Sequence, residues 1–253
     1  MKTILAGLAL FCTASLNGFA ADNPVLRFGT DPTYPPYEYK LPDGTLTGLD
    51  IAVGKAICER AKVQCEWVET GFDGLIPGLN AKKFDAILSS MAPNTQRQKV
   101  MDFTQSLYQD DTRLISAKTA PLASSAQALN GKTVGVLQGS VQAKYALEKW
   151  RSQGVNVVEY PDQENIYADL ANGRLDATLV VATAGQAGFL VKPAGKDFAF
   201  SGEAVKDPVL TSTSAIGLRK GDEQTRQKID SAVSQLKQDG TISALEKQFL
   251  SAL

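Results

Sequence analysis

From Phe84 to Thr104 the chain reads FDAILSSMAPNTQRQKVMDFT, a stretch whose residue types suit the capture of a small anion. The mostly apolar run Phe84–Leu88 predicts a buried parallel strand. Two hydroxyls, Ser89 and Ser90, follow it directly, with Met91 next and Arg97 inside a short helical pattern. Ligands of open α/β sheets sit just beyond the carboxyl ends of the strands. A guanidinium there is a planar fork matched to a carboxylate or phosphate. Taken alone, Arg97 reads as simply as a solvated surface arginine.

The elements that must position these residues alternate along the chain. Strands are predicted at Val25–Gly29, Glu66–Glu69 and Phe84–Leu88, with helices at Asp50–Ala61, capped by Asp50, and at Asp73–Lys82. The order recurs as strand Thr133–Leu137, helix Ser140–Arg151, strand Val155–Tyr160, helix Gln163–Ala171 and strand Asp176–Val181. Helices Asp222–Gln238 and Ile242–Leu250 close the chain. LNAKKFDAIL (Leu79–Leu88) also lines up with LANGRLDATL (Leu170–Leu179). Two similar βαβαβ units predict two α/β lobes, and small-molecule sites favour the interface between such units.

The strand-end rule then names candidates. In the first unit they are Asp31, Tyr34 and Tyr37, then Phe72 and Asp73, then Ser89, Ser90 and Met91. The second unit offers Gln138 to Ser140, then Asp162 and Gln163, then Val181 and Thr183. Gly139-Ser140 at a helix start supplies backbone N–H groups for an anion. With Asp31 as a cation seat, the pattern describes an amino-acid-like ligand. Each residue has a plainer reading: Asp31 before Pro32 starts a turn, the tyrosines and Phe72 pack, the serines satisfy backbone groups and Asp73 caps a helix.

Lys2, the mostly apolar Ile4–Leu16 and the small residues up to Ala20 predict a signal peptide cleaved after Ala20. The stretch is shorter than the roughly twenty residues of a membrane span. Leu10 and Phe11 before Cys12 do not suit a lipid-attachment site. The expected location is periplasmic. Loss of Lys2 leaves 25 basic against 27 acidic residues, with no basic block, so nucleic acid is not expected as a partner. The remaining cysteines, Cys58 and Cys65, fit a disulfide of an oxidising compartment better than a metal site. Closing that short loop stabilises the fold by about 2.5 kcal/mol on the chain-entropy model. There is no histidine, which removes Ser-His-Asp and Cys-His catalysis. No cofactor is expected.

These residues carry a resemblance. GTDPTYPPYEY (Gly29–Tyr39), GLDIAVGKAIC (Gly48–Cys58), DGLIPGLNAKKFDAILSSM (Asp73–Met91) and RQKVMDFTQSLY (Arg97–Tyr108) resemble periplasmic binding proteins of polar amino acid ABC importers, in the lysine/arginine/ornithine- and histidine-binding branch. GKTVGVLQGS (Gly131–Ser140), GRLDATL (Gly173–Leu179), GLRKGD (Gly217–Asp222) and the Cys58/Cys65 spacing extend the match over nearly the whole mature chain. The resemblance implies a type II periplasmic-binding-protein fold: two doubly wound α/β lobes, a two-crossing hinge and a ligand cleft. Lobe one would comprise residues 21–112 and 211–253, lobe two residues 113–210, with hinge crossings near Asp110–Arg113 and Pro208–Ser212. It further implies a monomer that delivers its ligand to a permease in the inner membrane.

Carried over residue by residue, Arg97 would grip the ligand α-carboxylate with N–H groups around Ser140, Val141 and Gln142. Asp31 would meet a distal cation, Tyr34 and Phe72 would sandwich the side chain, and Ser89 and Ser90 would bond the α-substituents. Three positions depart from the pattern: Ala92 and Val141 replace hydroxyls, and Val181 replaces the aspartate that receives the α-ammonium. A buried ammonium without its carboxylate costs about 2–5 kcal/mol, roughly thirty- to several-thousand-fold in affinity. Unmodified lysine or arginine is therefore expected to bind poorly unless Asp110, Asp162 or another acid substitutes. Opine-like α-modified derivatives and ω-amino or ω-guanidino acids fit that expectation. A cyclohexadienyl dehydratase on the same fold and a sensory module are the alternatives; the first needs a cleft acid where Val181 stands.

Overall fold

The computed structural model describes residues 24–251, so the signal peptide expected at residues 1–20 lies outside the described residues. Strand β1 (Val25–Thr30) leads into a small antiparallel sheet of β2 (Thr33–Tyr34), β3 (Glu38–Lys40) and β4 (Leu46–Thr47). Helix α1 (Leu49–Ala61), strand β5 (Gln64–Glu69), helix α2 (Leu75–Asn80), strand β6 (Ala86–Ile87), helix α3 (Arg97–Val100) and strand β7 (Met101–Gln109) follow. The chain then crosses to β8 (Thr112–Ala117), β9 (Thr133–Leu137), α4 (Val141–Tyr145), β10 (Asn156–Tyr160), α5 (Gln163–Ala171), β11 (Ala177–Val181), α6 (Ala182–Gly185) and β12 (Phe198–Val205). It returns through β13 (Thr213–Arg219) and ends in α7 (Glu223–Gln238) and α8 (Thr241–Leu250).

Two five-stranded sheets result, ordered β5-β1-β6-β13-β7 and β10-β9-β11-β8-β12. In each, three neighbouring strands are parallel and a strand from the far side of a crossing pairs antiparallel with the third. This is the two-lobe, doubly wound α/β arrangement that the repeated pattern predicts. The closing helix α7 buries Ile229, Ala232, Val233 and Leu236, the i, i+3, i+4, i+7 stripe of an amphipathic helix, and packs with α8 against α1.

Local differences from the sequence reading have physical causes. The cap of α1 is Gly48, whereas Asp50 lies in the first turn, fully buried. Its carboxylate instead accepts the Ser90 N–H at 2.6 Å. Asp73 caps nothing: it sits exposed in a single 3-10 turn, Phe72–Gly74, and α2 starts only at Leu75. The predicted third strand shrinks to Ala86–Ile87 because β1 reaches it only at Phe28 and Gly29. Gly29 is required there, since a Cβ would stand 2.5 Å from the Phe84 ring. Cys58 and Cys65 form a disulfide joining α1 to β5.

One apolar cluster runs from Leu26 and Phe28 through Tyr34, Tyr37 and Tyr108 to Ile115, Leu137, Val180 and Phe189. It therefore continues from one sheet to the other, as it must when the lobes are closed on each other. A second cluster, with Val134, Val136 and Trp150, belongs to the β9 side, and a third holds Leu75, Phe84, Met91 and Met101.

Candidate functional site

The strand ends of both sheets and both crossings line one cavity between the lobes. The first lobe contributes Asp31, Tyr34, Phe72, Ser89, Ser90 and Arg97; the second contributes Leu137, Ser140, Val141, Gln142 and Val181. Of the strand-end candidates, Asp73, Gln138, Gly139, Asp162, Gln163 and Thr183 do not line it, and neither does Met91. It points into the third apolar cluster, 1% exposed, while its carbonyl accepts the Ala215 N–H. The residue after a short strand and two serines turns back under the sheet, which sequence spacing did not reveal.

Arg97 is no surface arginine: it is 7% exposed. Asn94 Oδ1 accepts the N–H of Arg97 at 2.8 Å and so caps the single turn of α3. The guanidinium donates to the Ala92 carbonyl at 2.7 Å and, across the cleft, to the Gly139 carbonyl at 3.0 Å. It also lies over the Phe72 ring, 5.4 Å from its centroid. Arg97 forms no ion pair among the described residues. Burial lowers its pKa to about 10, so it stays charged at neutral pH without a carboxylate partner. A buried, uncompensated cation is costly, and a ligand carboxylate removes that cost.

Asp31, 2% exposed, faces the same space. Its Oδ1 accepts from Thr33 Oγ1 at 3.0 Å, while Oδ2 has no hydrogen-bond partner in the protein. Burial raises its pKa to about 6, against hydrogen bonds from Thr33 and the Phe72 backbone that lower it. Ser89 holds Asp31 in place by accepting its N–H while its own hydroxyl donates to Glu38 Oε1, both at 3.0 Å. Its hydroxyl hydrogen is thus spent inside the lobe.

Behind Ser89, Glu38 and Asp50 are both buried, close enough for each to influence the other's charge. Burial raises Glu38 well above the carboxylate range, the Asp50 charge adding to it, and raises Asp50 to about 7. Glu38 Oε2 and Asp50 Oδ1 have no hydrogen-bond partner in the protein, and two carboxyls so placed favour keeping a proton on one of them. Asp50 in turn fixes Ser90 in the left-handed conformation, φ 44°.

The second lobe is plainer. Ser140 Oγ caps α4 by accepting the Ala143 N–H at 3.0 Å, which leaves the first-turn N–H groups of Val141 and Gln142 without intrahelical acceptors. Gln142 Nε2 donates to Thr112 Oγ1 on the crossing. Val181 presents an apolar, half-buried wall at the start of α6.

The cavity floor consists of residues the strand-end rule does not name: Tyr108, Asp110, Thr112 and Thr211 to Ser214. They stand on or beside antiparallel strands flanking the crossings. Tyr108 OH, Thr211 Oγ1 and Ser214 Oγ have no partner in the protein, which adds to the polar groups that await a ligand. The expected crossing positions signalled Asp110, Thr112, Thr211 and Ser212; nothing in the sequence signalled Tyr108, Thr213 or Ser214.

A cleft between two doubly wound lobes, lined by one guanidinium and fixed carboxylates, defines a two-lobe binding protein of the type II class. Residues 26–252 match the family of bacterial extracellular solute-binding proteins, family 3, and the chain belongs to it. It is 45% identical over 250 residues to a lysine/arginine/ornithine-binding periplasmic protein of Escherichia coli (strain K12), covering 98% of this chain and 96% of the relative. A histidine-binding periplasmic protein of the same strain is 41% identical over 252 residues, covering 98% and 97%. Among solved structures, an ancestral arginine-binding protein bound to arginine superposes with a TM-score of 0.84 at 27% identity, covering 90% of this chain and 99% of that one. Among the described residues no helix is long and apolar enough to cross a membrane.

Proposed function

We propose that this chain captures a cationic or zwitterionic amino acid in the periplasm and delivers it to the permease of an ABC importer. The observation that carries this reading is the buried Arg97 guanidinium with no acid beside it, facing the partnerless Oδ2 of Asp31 across one cavity. The ligand carboxylate lies against Arg97 and the first-turn amides of α4. The distal cation meets Asp31 between Tyr34 and Phe72. The binding-protein names of the relatives and the apolar Val181 speak against catalysis by a dehydratase-like site.

In this reading residues 21–112 with 211–253 form one lobe and residues 113–210 the other, and the crossings at Asp110–Asp111 and Lys206–Ser212 let them rotate. The protein acts as a monomer after cleavage near Ala20. An α-modified ligand, opine-like or an ω-guanidino acid, is the second reading, favoured by Val181 alone. Calorimetric titration with arginine, lysine, ornithine, histidine and glutamate tests the main one. Micromolar or tighter binding of a basic member with none of glutamate is expected; binding of glutamate alone contradicts it.

A further inference from the structure

The cavity holds a second carboxylate. Asp110 lines it from the first crossing, and its side chain is fixed by neutral donors alone. Oδ2 accepts from Tyr37 OH and from the Thr183 N–H, each at 2.9 Å, and Oδ1 accepts from the Asp111 N–H at 2.8 Å. A carboxylate has about four acceptor positions, so room for a donor remains. No ion pair to Asp110 occurs among the described residues.

Its place relative to Val181 is set by backbone. Val181 pairs with Thr112 in the β11–β8 register, and the next residue, Ala182, donates its N–H to the Asp111 carbonyl at 2.7 Å. With Thr183 N–H on Oδ2, the Asp110 carboxylate sits over the first turn of α6, beside the wall that Val181 forms. Asp162, the other acid near the second lobe's strand ends, caps α5 through the Asn165 N–H and does not line the cavity. The charged lining of the cavity is therefore Arg97, Asp31 and Asp110. A ligand complementary to it carries one anionic and two cationic groups.

We infer that Asp110 receives the α-ammonium of a basic amino acid, so that the hinge supplies the charge the Val181 wall lacks. This rests on the proposed function, in which Arg97 takes the carboxylate and Asp31 the distal cation. It selects free basic amino acids over deaminated or N-substituted ones.

The test titrates the unmodified protein and Asp110→Asn with L-arginine, 5-guanidinopentanoate (arginine without its α-amino group) and Nα-acetylarginine. The unmodified protein is expected to favour arginine over 5-guanidinopentanoate by about thirty-fold or more. In Asp110→Asn that ratio collapses toward one, and Asp110→Ser provides a second variant should the first not fold. An unchanged ratio in the folded variant overturns the inference, as does parity of the two compounds, or tighter binding of acetylarginine, on the unmodified protein. In each of those cases the proposed carboxylate and cation seats still stand. Failure of the unmodified protein to bind any of the three overturns the proposed function and the inference together.

Discussion

The two lobes share one plan, β5-β1-β6-β13-β7 in one matching β10-β9-β11-β8-β12 in the other, yet their cavity walls differ in kind. The first presents Asp31 and Arg97, backed by the hydrogen-bonded Ser89 and Glu38 and by the buried Asp50, which holds the Ser90 N–H. The second presents Leu137, Val141 and Val181, with backbone amides of α4 and no charged side chain in the lining. On the proposed function, a fold repeated twice carries selection on one jaw and exclusion of water on the other. Closing an apolar wall over charged groups strengthens every electrostatic contact inside. A preorganised first wall also leaves fewer side chains to be ordered when ligand arrives.

The sharpest way to break this comparison is to remove a side chain from each wall. Arg97→Ala is expected to weaken arginine binding at least a hundred-fold, since a bidentate charged contact is lost, whereas Val141→Ala weakens it less than about five-fold. Equal losses in calorimetry contradict the division. Asp31 comes next. It titrates near 6, and a cationic ligand requires its charged form, so acidification from pH 7.5 to 5 is expected to lower affinity about ten-fold. Asp31→Asn binds more weakly throughout and loses that pH dependence; a slope that persists assigns it to another group.

Gly139 tests the closing jaw. Its φ is 74°, and a Cβ there would stand 3.1 Å from the Asp73 Cα on the opposite lobe. Gly139→Ala is expected to cost about five- to ten-fold in affinity, a strained backbone and a poor closure adding up. Small-angle scattering should find the liganded variant more open than the wild type. The smallest effect concerns stability alone. Asp50 titrates near 7 in the folded protein, well above an unfolded aspartate, so its contribution is full below about pH 4 and is lost as pH rises through 7. The melting-temperature gap between unliganded wild type and Asp50→Asn is therefore expected to narrow by a few degrees from pH 5 to 8. A gap that widens contradicts the raised pKa of the buried Asp50.

The parallel strands and their helices were legible because apolar runs such as Thr133–Leu137 and helix starts such as Gly139-Ser140 carry local signals. The antiparallel strands β7, β8, β12 and β13 were not. Their sequences, MDFTQSLYQ for example, mix buried and exposed positions without a clean alternation. The site divides in the same way. Residues at parallel strand ends, Asp31, Ser89 and Val181 among them, follow from a rule about strand direction. Asp110 belongs to a crossing and Ser214 to the antiparallel strand β13, for which that rule says nothing. Glu38 lies in a three-residue strand, and only its burial beside Asp50 reveals that Ser89 works for the wall rather than for the ligand. Residue type proposed Arg97 as an anion receptor, but its burial and want of an acid partner among the described residues are tertiary facts.

The central claim is that one buried guanidinium on the first lobe recognises the ligand carboxylate. Calorimetric titration with arginine and with agmatine, which lacks only that carboxylate, tests it directly on the wild type and on Arg97→Ala. The account predicts that the wild type prefers arginine by at least a hundred-fold and that the substitution brings the ratio to within about five-fold. A preference that survives in Arg97→Ala, or agmatine binding the wild type as tightly as arginine, would contradict it.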